Sequence, residues 1–181
     1  MLAAAACDVR RSAVLERLKR KRWFPWARDL LVVLLLYAAI GLYQTRHAAR
    51  GQAPDVSAAL LDGTPVQLAG HRGEPMMLHF WATWCGVCKA EQHNVVALAR
   101  DHRVIAVASS SGTPEAVQTY ARQSGFDVPI AIDPNGALAR KFGVGAFPTS
   151  FFIDADGQIT AVETGYTTEL GMRLRMWWAA L

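Results

Sequence analysis

The sequence predicts an α/β fold in which helices flank a mixed central sheet, preceded by an N-terminal transmembrane helix. Short apolar runs alternate with helical repeats along residues 56–181, and the last two runs are joined by a tight turn. These two observations predict the sheet and its helices. A third predicts the membrane segment, because an unbroken apolar run from Leu30 to Tyr43 follows a basic tail.

Charge is distributed unevenly along the 181 residues. The formal net charge is +4, and eight of the 19 Lys and Arg residues lie within residues 1–28. Residues 45–181 are close to neutral, so the main domain has no basic face of the kind that binds nucleic acid. We therefore expect no nucleic-acid partner.

Residues 23–43 are predicted to form the membrane anchor. Counted from Trp23, the apolar segment is about 31 Å long as a helix, which matches the hydrocarbon core of a bilayer. The Lys/Arg cluster before it predicts that residues 1–22 form a basic cytoplasmic tail and that the rest of the chain is periplasmic. This predicts a single-pass inner-membrane protein. A cleaved signal peptide is the alternative, but its basic region would be unusually long.

Residues 44–55 are polar and are predicted to be a linker to a domain over residues 56–181. The first half of that domain is predicted to contain a β-hairpin around Asp62-Gly63, a buried strand, a helix and a second buried strand. These elements span Val56–Leu61, Pro65–Leu68, Met76–Trp81, Cys85–Arg100 and Val104–Ala108.

The second half is predicted to contain a helix, a strand, a short helix, a β-hairpin and a closing helix. Thr113 followed by Pro114 is typical of a helix start, and Gly125 of a helix end. The closing helix is predicted to have its apolar face at Leu170, Leu174, Trp177 and Trp178. The elements are the Thr113–Gly125 helix, the Pro129–Ile132 strand, the Asn135–Phe142 helix, the Thr149–Ile153 and Ile159–Thr164 strands, and the Thr168–Ala180 helix.

Cys85 and Cys88 lie where a predicted strand ends and a helix begins. Free N–H groups and the helix dipole stabilise a thiolate at a helix N-terminus, and a thiolate is the form that attacks a disulfide. Cys88 follows one turn later on the same face and can resolve a mixed disulfide. The spacing predicts thiol–disulfide exchange through a redox-active Cys85–Cys88 disulfide, with no other cofactor and no metal. Cys7 is interpreted as an incidental cytoplasmic thiol.

Other uses of a Cys-x-x-Cys pair fit the residues less well. A zinc site needs a second ligand pair, and the domain has no other cysteine. A c-type haem site needs a histidine directly after the second cysteine, where this sequence has Lys89. Two unrelated core cysteines remain an alternative.

Two motifs resemble a known family. Phe80–Glu91 reads F-W-A-T-W-C-x-x-C-K-x-E, and Gly143–Asp154 reads G-V-x-x-x-P-T-x-F-x-I-D. In this order they are similar to the thioredoxin superfamily, and in particular to its membrane-anchored bacterial branch of TlpA, ResA and CcmG (DsbE). That branch includes the suppressor-of-copper-sensitivity type, ScsD, which the sequence also resembles.

The resemblance implies a thioredoxin-like fold and a periplasmic enzyme that reduces the disulfides of client proteins. It also implies electron supply from a DsbD-, CcdA- or ScsB-like membrane protein, and tasks such as cytochrome c maturation or copper tolerance. Gly86-Val87 replaces the Gly-Pro that is common in reducing relatives. A role as a disulfide oxidase or isomerase therefore remains an alternative. A copper-binding chaperone on the same fold is a further alternative, although that type uses a C-x-x-x-C pair and a distant histidine.

The resemblance also assigns site residues. Phe147 and Pro148 are implied to line the substrate groove, with a cis peptide bond before the proline, and Trp84 is interpreted as a wall of the active site. In ResA-like relatives an acid at the position of Glu91 lies near the active site and tunes it, which implies that Glu91 raises the pKa of Cys88 and relays its proton. From the sequence alone, Glu91 could equally be an exposed partner of the helix dipole.

Overall fold

The computed structural model describes residues 26–36, 39–41, 43, 45–67 and 73–181. The chain divides into two compact units, Met1–Tyr43 and Gln44–Leu181. In the first unit the described residues are helical, and most of their large apolar side chains are exposed. No helix built from the described residues is both long and apolar enough to cross a membrane. The basic tail, Cys7 and Trp23 lie outside the described residues.

The second unit is built on a mixed six-stranded sheet with the order β1-β8-β7-β4-β5-β6. At its centre, β4 runs parallel to β5 and antiparallel to β7, and β5 is parallel to β6. A separate antiparallel pair is formed by β2 and β3. The strands are β1 (Gly51–Gln52), β2 (Ser57–Ala59), β3 (Pro65–Gln67), β4 (Met76–Trp81), β5 (Arg103–Ser109), β6 (Ile130–Asp133), β7 (Thr149–Ile153) and β8 (Gln158–Thr164).

Four helices are labelled among the described residues of this unit, and local capping sets where two of them begin. The Thr113 hydroxyl accepts from the Ala116 N–H, and the Thr168 hydroxyl accepts from the Gly171 N–H. Gly125 ends the first of these helices with a φ of 66°. The helices are α1 (Gly86–Ala99), α2 (Pro114–Ser124), α3 (Ala137–Lys141) and α4 (Glu169–Ala179).

Successive side chains of β4 point to opposite faces of the sheet and divide the core in two. Met77 and Trp81 belong to the cluster that also contains Met172 and Met176 of α4 and Cys88 of α1. Leu78 and Phe80 belong to the other cluster, together with Phe142, Phe151 and Ala48. The predicted α/β architecture is confirmed, and the cysteine-bearing helix lies over the first of these faces.

Residues 44–55 were predicted to be a linker, but in the structure part of this segment packs against the domain. Ala48 and Ala53 are buried, and the Ala49 N–H donates to the Phe142 carbonyl at 2.8 Å. β1 adds a further strand to the sheet by pairing with β8. Polar composition indicated a linker, but an edge strand satisfies its backbone by pairing and needs no apolar run.

The prediction for the apolar face of α4 is wrong. Leu170, Leu174, Trp177 and Trp178 are all more than half exposed. The face against the sheet is formed instead by Met172, Met176 and Ala179. This helix has an apolar stripe on both sides, and unbranched methionine fills the irregular space above the sheet.

Candidate active site

Cys85 is the N-cap residue of α1. Its backbone is extended, with φ −80° and ψ 112°, because the chain leaves β4 and turns into the helix at this point. The Cys88 N–H donates to the Cys85 sulfur at 3.1 Å, so the sulfur takes the place of the usual hydroxyl or carboxylate cap. The two cysteines form a disulfide, with their Cα atoms 5.3 Å apart.

The two sulfurs are not equivalent. Both cysteines belong to the apolar cluster beneath α1 and are nearly buried, with 3% of Cys88 and 7% of Cys85 exposed, but of the two only the Cys85 sulfur accepts a helix N–H. Once the disulfide is reduced, a Cys85 thiolate would keep the Cys88 N–H as a donor and would lie at the positive end of the helix dipole. This arrangement favours Cys85 as the attacking sulfur and Cys88 as the resolving one.

An exposed indole stands beside Cys85. Trp84 is 64% exposed, its Nε1–H donates to the Ser110 carbonyl at 2.9 Å, and its ring lies 5.9 Å from the Phe147 ring. Ser110 has a φ of 50°, which is uncommon for a residue with a side chain. Next to it, the Ser111 hydroxyl accepts from the Thr83 N–H at 3.1 Å. The loop after β5 therefore holds the indole in place.

The loop before β7 also approaches Cys85. The Phe147–Pro148 peptide bond is cis, and the Phe147 carbonyl oxygen lies 3.6 Å from the Cys85 sulfur. A disulfide sulfur has no proton, so this contact becomes a hydrogen bond only when Cys85 is a thiol. The Pro148 carbonyl accepts from the Gly165 N–H at 2.9 Å, which ties the loop to the end of β8.

Glu91 is fully buried on the inner side of α1, one turn after Cys88. Its Oε1 accepts from the Thr167 N–H at 2.9 Å. Its Oε2 is buried and has no hydrogen-bond partner among the described residues. Burial raises the pKa of Glu91 to about 7, and the Thr167 N–H offsets part of that rise. A carboxyl group with such a pKa can accept or release a proton near neutral pH.

Asn94 lies one turn further along α1 and binds Thr167, the residue that also binds Glu91. Its side-chain N–H₂ donates to the Thr167 carbonyl at 3.0 Å and to the Tyr166 hydroxyl at 3.2 Å. Glu91 and Asn94 therefore hold the N–H and the carbonyl of Thr167 respectively. The segment after β8 is fixed between α1 on one side and the Phe147–Pro148 loop on the other.

Two histidines of the described residues, His79 and His93, have different surroundings. His93 is exposed on α1. His79 is buried in β4 with its Nδ1 2.9 Å from the Ser150 hydroxyl, and burial lowers the pKa of His79 to about 4. In the described part of the chain, no group of three or more His, Cys, Asp or Glu residues is arranged to hold a metal ion.

The structure brings Cys85, Cys88, Trp84, Phe147 and Pro148 together at one end of the sheet, and places Glu91 beneath α1. It adds four residues that sequence reasoning did not identify. Three of them lie in loops distant in the chain from the residues they hold, and the fourth lies on α1 and binds such a loop: Ser110, Ser111, Thr167 and Asn94.

Comparisons with known proteins agree with this geometry. The Redoxin family model matches residues 48–173. The thiol-disulfide oxidoreductase ResA of Geobacillus thermodenitrificans is 32% identical over 151 residues, which cover 77% of this chain and 87% of ResA. The thioredoxin-like protein YneN of Bacillus subtilis is 31% identical over 168 residues, covering 86% of this chain and 97% of YneN.

Among solved structures, a thiol:disulfide interchange protein of the thioredoxin family from Chlorobium tepidum superposes with a TM-score of 0.60. It is 28% identical, and the match covers 73% of this chain and 97% of that protein. Together with the sequence relatives, it supports the thioredoxin-like fold and the resemblance to the ResA and DsbE branch.

The reactivity of the two thiols tests the roles of the cysteines. In the reduced protein we expect iodoacetamide to alkylate Cys85 at least about tenfold faster than Cys88, because the helix start stabilises the Cys85 thiolate. Peptide mass spectrometry at short reaction times measures both rates. The urea-unfolded chain is the control, in which the two rates should be equal. Equal rates in the folded protein, or faster labelling of Cys88, would contradict the assignment.

Burial of Glu91 predicts a pH-dependent stability. The folded-state pKa of about 7 lies above the ordinary 4.5, so the unfolded chain loses the proton first as the pH rises. Stability is therefore lost between about pH 4.5 and 7, and Glu91→Gln removes that loss. We expect the oxidised variant to be more stable than the wild type at pH 8, by on the order of 3 kcal/mol, and to show little difference at pH 4.

Urea unfolding of the oxidised proteins at both pH values measures this difference. The exposed Glu74 provides the matched control, since Glu74→Gln should leave the pH dependence of stability unchanged. A Glu91→Gln protein that is less stable than the wild type at pH 8 would show that the buried carboxylate is favourable there.

Proposed function

The chain belongs to the Redoxin family and is a thiol–disulfide oxidoreductase, and we propose that it works as a membrane-anchored periplasmic reductase of client disulfides. The observation that supports this proposal most directly is the position of Cys85. Its sulfur caps α1, accepts from the Cys88 N–H and faces the Phe147 carbonyl. A client disulfide can reach it between Trp84 and the Phe147–Pro148 loop.

The exchange follows from this geometry in two displacements. The Cys85 thiolate attacks one sulfur of the client disulfide, and the other client sulfur leaves as a thiolate. Cys88 then attacks the Cys85 sulfur of the mixed disulfide and displaces the second client thiolate. The client gains two electrons and takes up two protons to become a dithiol, while the enzyme is left with the Cys85–Cys88 disulfide.

In this cycle Glu91 is proposed to take the proton that Cys88 releases. Cys88 must lose its proton before it attacks, and it lies in an apolar cluster that disfavours a free thiolate. Glu91 follows it by one helical turn, is buried with it, and has a pKa near neutrality. A carboxylate in that position accepts the proton without exposing the site to water.

The reducing direction is supported by the residues after the cysteines. Lys89 and Glu91 match the reducing branch that the sequence resembles. We propose that electrons return to the Cys85–Cys88 disulfide from a DsbD-, CcdA- or ScsB-like membrane protein. Apocytochrome c or proteins involved in copper tolerance are the proposed clients, because relatives in that branch serve these tasks.

Anchoring is proposed from the sequence of residues 23–43 and the basic residues before it. An inner-membrane anchor with the domain in the periplasm would keep the cysteines in the compartment where protein disulfides form. It would also hold them beside a membrane-embedded electron donor.

The redox state in cells tests the direction of electron flow. We expect Cys85 and Cys88 to be mostly dithiol in normal cells and to turn to disulfide when the membrane electron donor is deleted. Acid quenching followed by alkylation with a mass-adding maleimide measures this, with the Cys85→Ser/Cys88→Ser chain as the blank. A pair that is fully oxidised in normal cells and indifferent to the deletion would favour an oxidase.

Fractionation tests the anchor. We expect the chain to stay in the membrane fraction after a carbonate wash, with residues 45–181 cleaved by protease added from the periplasmic side. A chain whose residues 23–43 are replaced by a cleavable signal peptide provides the control and should be released. Recovery of the natural protein with an N-terminus near residue 50 would contradict the anchor.

A further inference from the structure

A row of polar side chains crosses the sheet beneath α1 and α4. In the strand register His79 of β4 lies opposite Ser150 of β7, and Ser150 lies opposite Glu163 of β8. The three residues share the face that carries Met77 and Trp81, since side chains alternate along each strand. Glu163 is the only acid of this row and lies at its outer end.

Glu163 has a single cationic partner among the described residues, Arg175 of α4, and the two side chains are each one-third exposed. Arg175 is held in turn by the Gly171 carbonyl, to which it donates at 2.9 Å. Two residues earlier on the same helix, Arg173 pairs with Glu169 and Asp101 at 2.8 Å each. The two arginines of α4 therefore serve different acids.

Glu91, on α1, is linked to the end of β8 near Glu163. Its carboxylate is held by Thr167, which follows Glu163 by only four residues at the end of β8. The negative charge of Glu163 is felt at Glu91 and adds to the rise in its pKa, after burial as the main cause. Thr167 thus brings the buried carboxyl group to the strand end that carries the Glu163–Arg175 pair.

The other groups that face Glu91 differ from this pair. Cys88 precedes Glu91 by one turn on its own helix. On the sheet face beneath that helix β4 carries His79, which burial keeps neutral near pH 7 because its pKa falls to about 4. The segment after β8 contributes Tyr166, bound to Asn94. β5 turns only apolar side chains to this face, namely Val104, Ala106 and Ala108. Among the described residues, Glu163 is therefore the charged group whose effect reaches Glu91, and Arg175 is the cation paired with it.

We propose that Arg175 and Glu163 are positioning residues of the redox site, whose ion pair sets how strongly Glu91 holds its proton. Arg175 opposes the charge of Glu163 and fixes its carboxylate on α4, so that Glu91 remains ionised often enough to take the proton of Cys88. This inference rests on the role proposed for Glu91. The step it governs moves one proton from the Cys88 sulfur to a Glu91 oxygen and moves no electrons.

The two partners have opposite effects, which distinguishes this role from a structural one. Arg175→Gln leaves Glu163 unopposed, so Glu91 should hold its proton more strongly and the resolving step should need a higher pH. Glu163→Gln leaves the Arg175 cation unopposed, so the same step should occur at a lower pH. Both variants lose the same ion pair, and a purely structural loss would therefore move both profiles in the same direction.

The test uses the full-length reduced chain in detergent micelles with oxidised glutathione as the disulfide. Cys85 displaces one glutathione to form a mixed disulfide, and Cys88 then displaces the second. Acid quenching and intact-mass measurement follow the decay of the mixed disulfide between pH 5 and 9. We expect the midpoint to rise by about half a pH unit in Arg175→Gln and to fall by about as much in Glu163→Gln, roughly a threefold change in proton affinity each way.

Arg173→Gln and Glu169→Gln are the matched controls from the neighbouring pair and should keep the wild-type midpoint. Shifts of Arg175→Gln and Glu163→Gln in the same direction, or midpoints equal to those of the controls, would overturn this inference alone. If Glu91→Gln leaves the wild-type profile unchanged, the proposed role of Glu91 fails and this inference fails with it.

Discussion

The start of α1 is the feature on which the rest of the site depends. A helix start leaves backbone N–H groups without partners, and here the Cys85 sulfur takes one of them at 3.1 Å. The same contact ends the strand-to-helix turn and prepares the sulfur to carry negative charge. Structure and chemistry therefore depend on one interaction, and residues from two other parts of the chain surround it. The Trp84 indole beside Cys85 is bound to the loop after β5, and the Phe147 carbonyl faces the Cys85 sulfur.

Burial of Glu91 is the second constraint, and it acts against stability. A carboxyl group placed in an apolar cluster loses its hydration, and one N–H from Thr167 replaces only part of what water supplied. As a consequence, the Glu91 carboxyl group can exchange a proton near pH 7. It lies one helical turn from Cys88, whose thiol must lose its proton in the proposed cycle. Asn94, which binds the Thr167 carbonyl, keeps that N–H directed at Glu91. This unfavourable burial falls on the residue for which a proton-relay role is proposed.

The sheet connects these two constraints across long sequence distances. β4 delivers Cys85, β7 begins directly after Pro148, and β8 ends just before the segment that binds Glu91. β4, β7 and β8 are adjacent in the sheet. The site segments that adjoin these three strands are therefore joined to one another by a few hydrogen bonds. The Gly165 N–H, for example, bonds to the Pro148 carbonyl and so joins the client-facing loop to the Glu91 contact.

The sequence by itself determined most of the secondary structure and the redox pair. Thr113 and Thr168 begin helices, Gly125 ends one, and the cysteines lie at a strand-to-helix junction, because these signals act within a few residues. With the family resemblance, Trp84, Phe147 and Pro148 were also assigned to the site. Only the tertiary structure decided that Glu91 is buried, that the Phe147 carbonyl faces Cys85, and that residues 51–52 extend the sheet. These outcomes depend on pairing between residues 60 to 110 positions apart, as between Cys85 and Phe147 or Gly51 and Ile159. The apolar face of α4 was mispredicted for the same reason, since two stripes were available and only packing against the sheet selected Met172 and Met176.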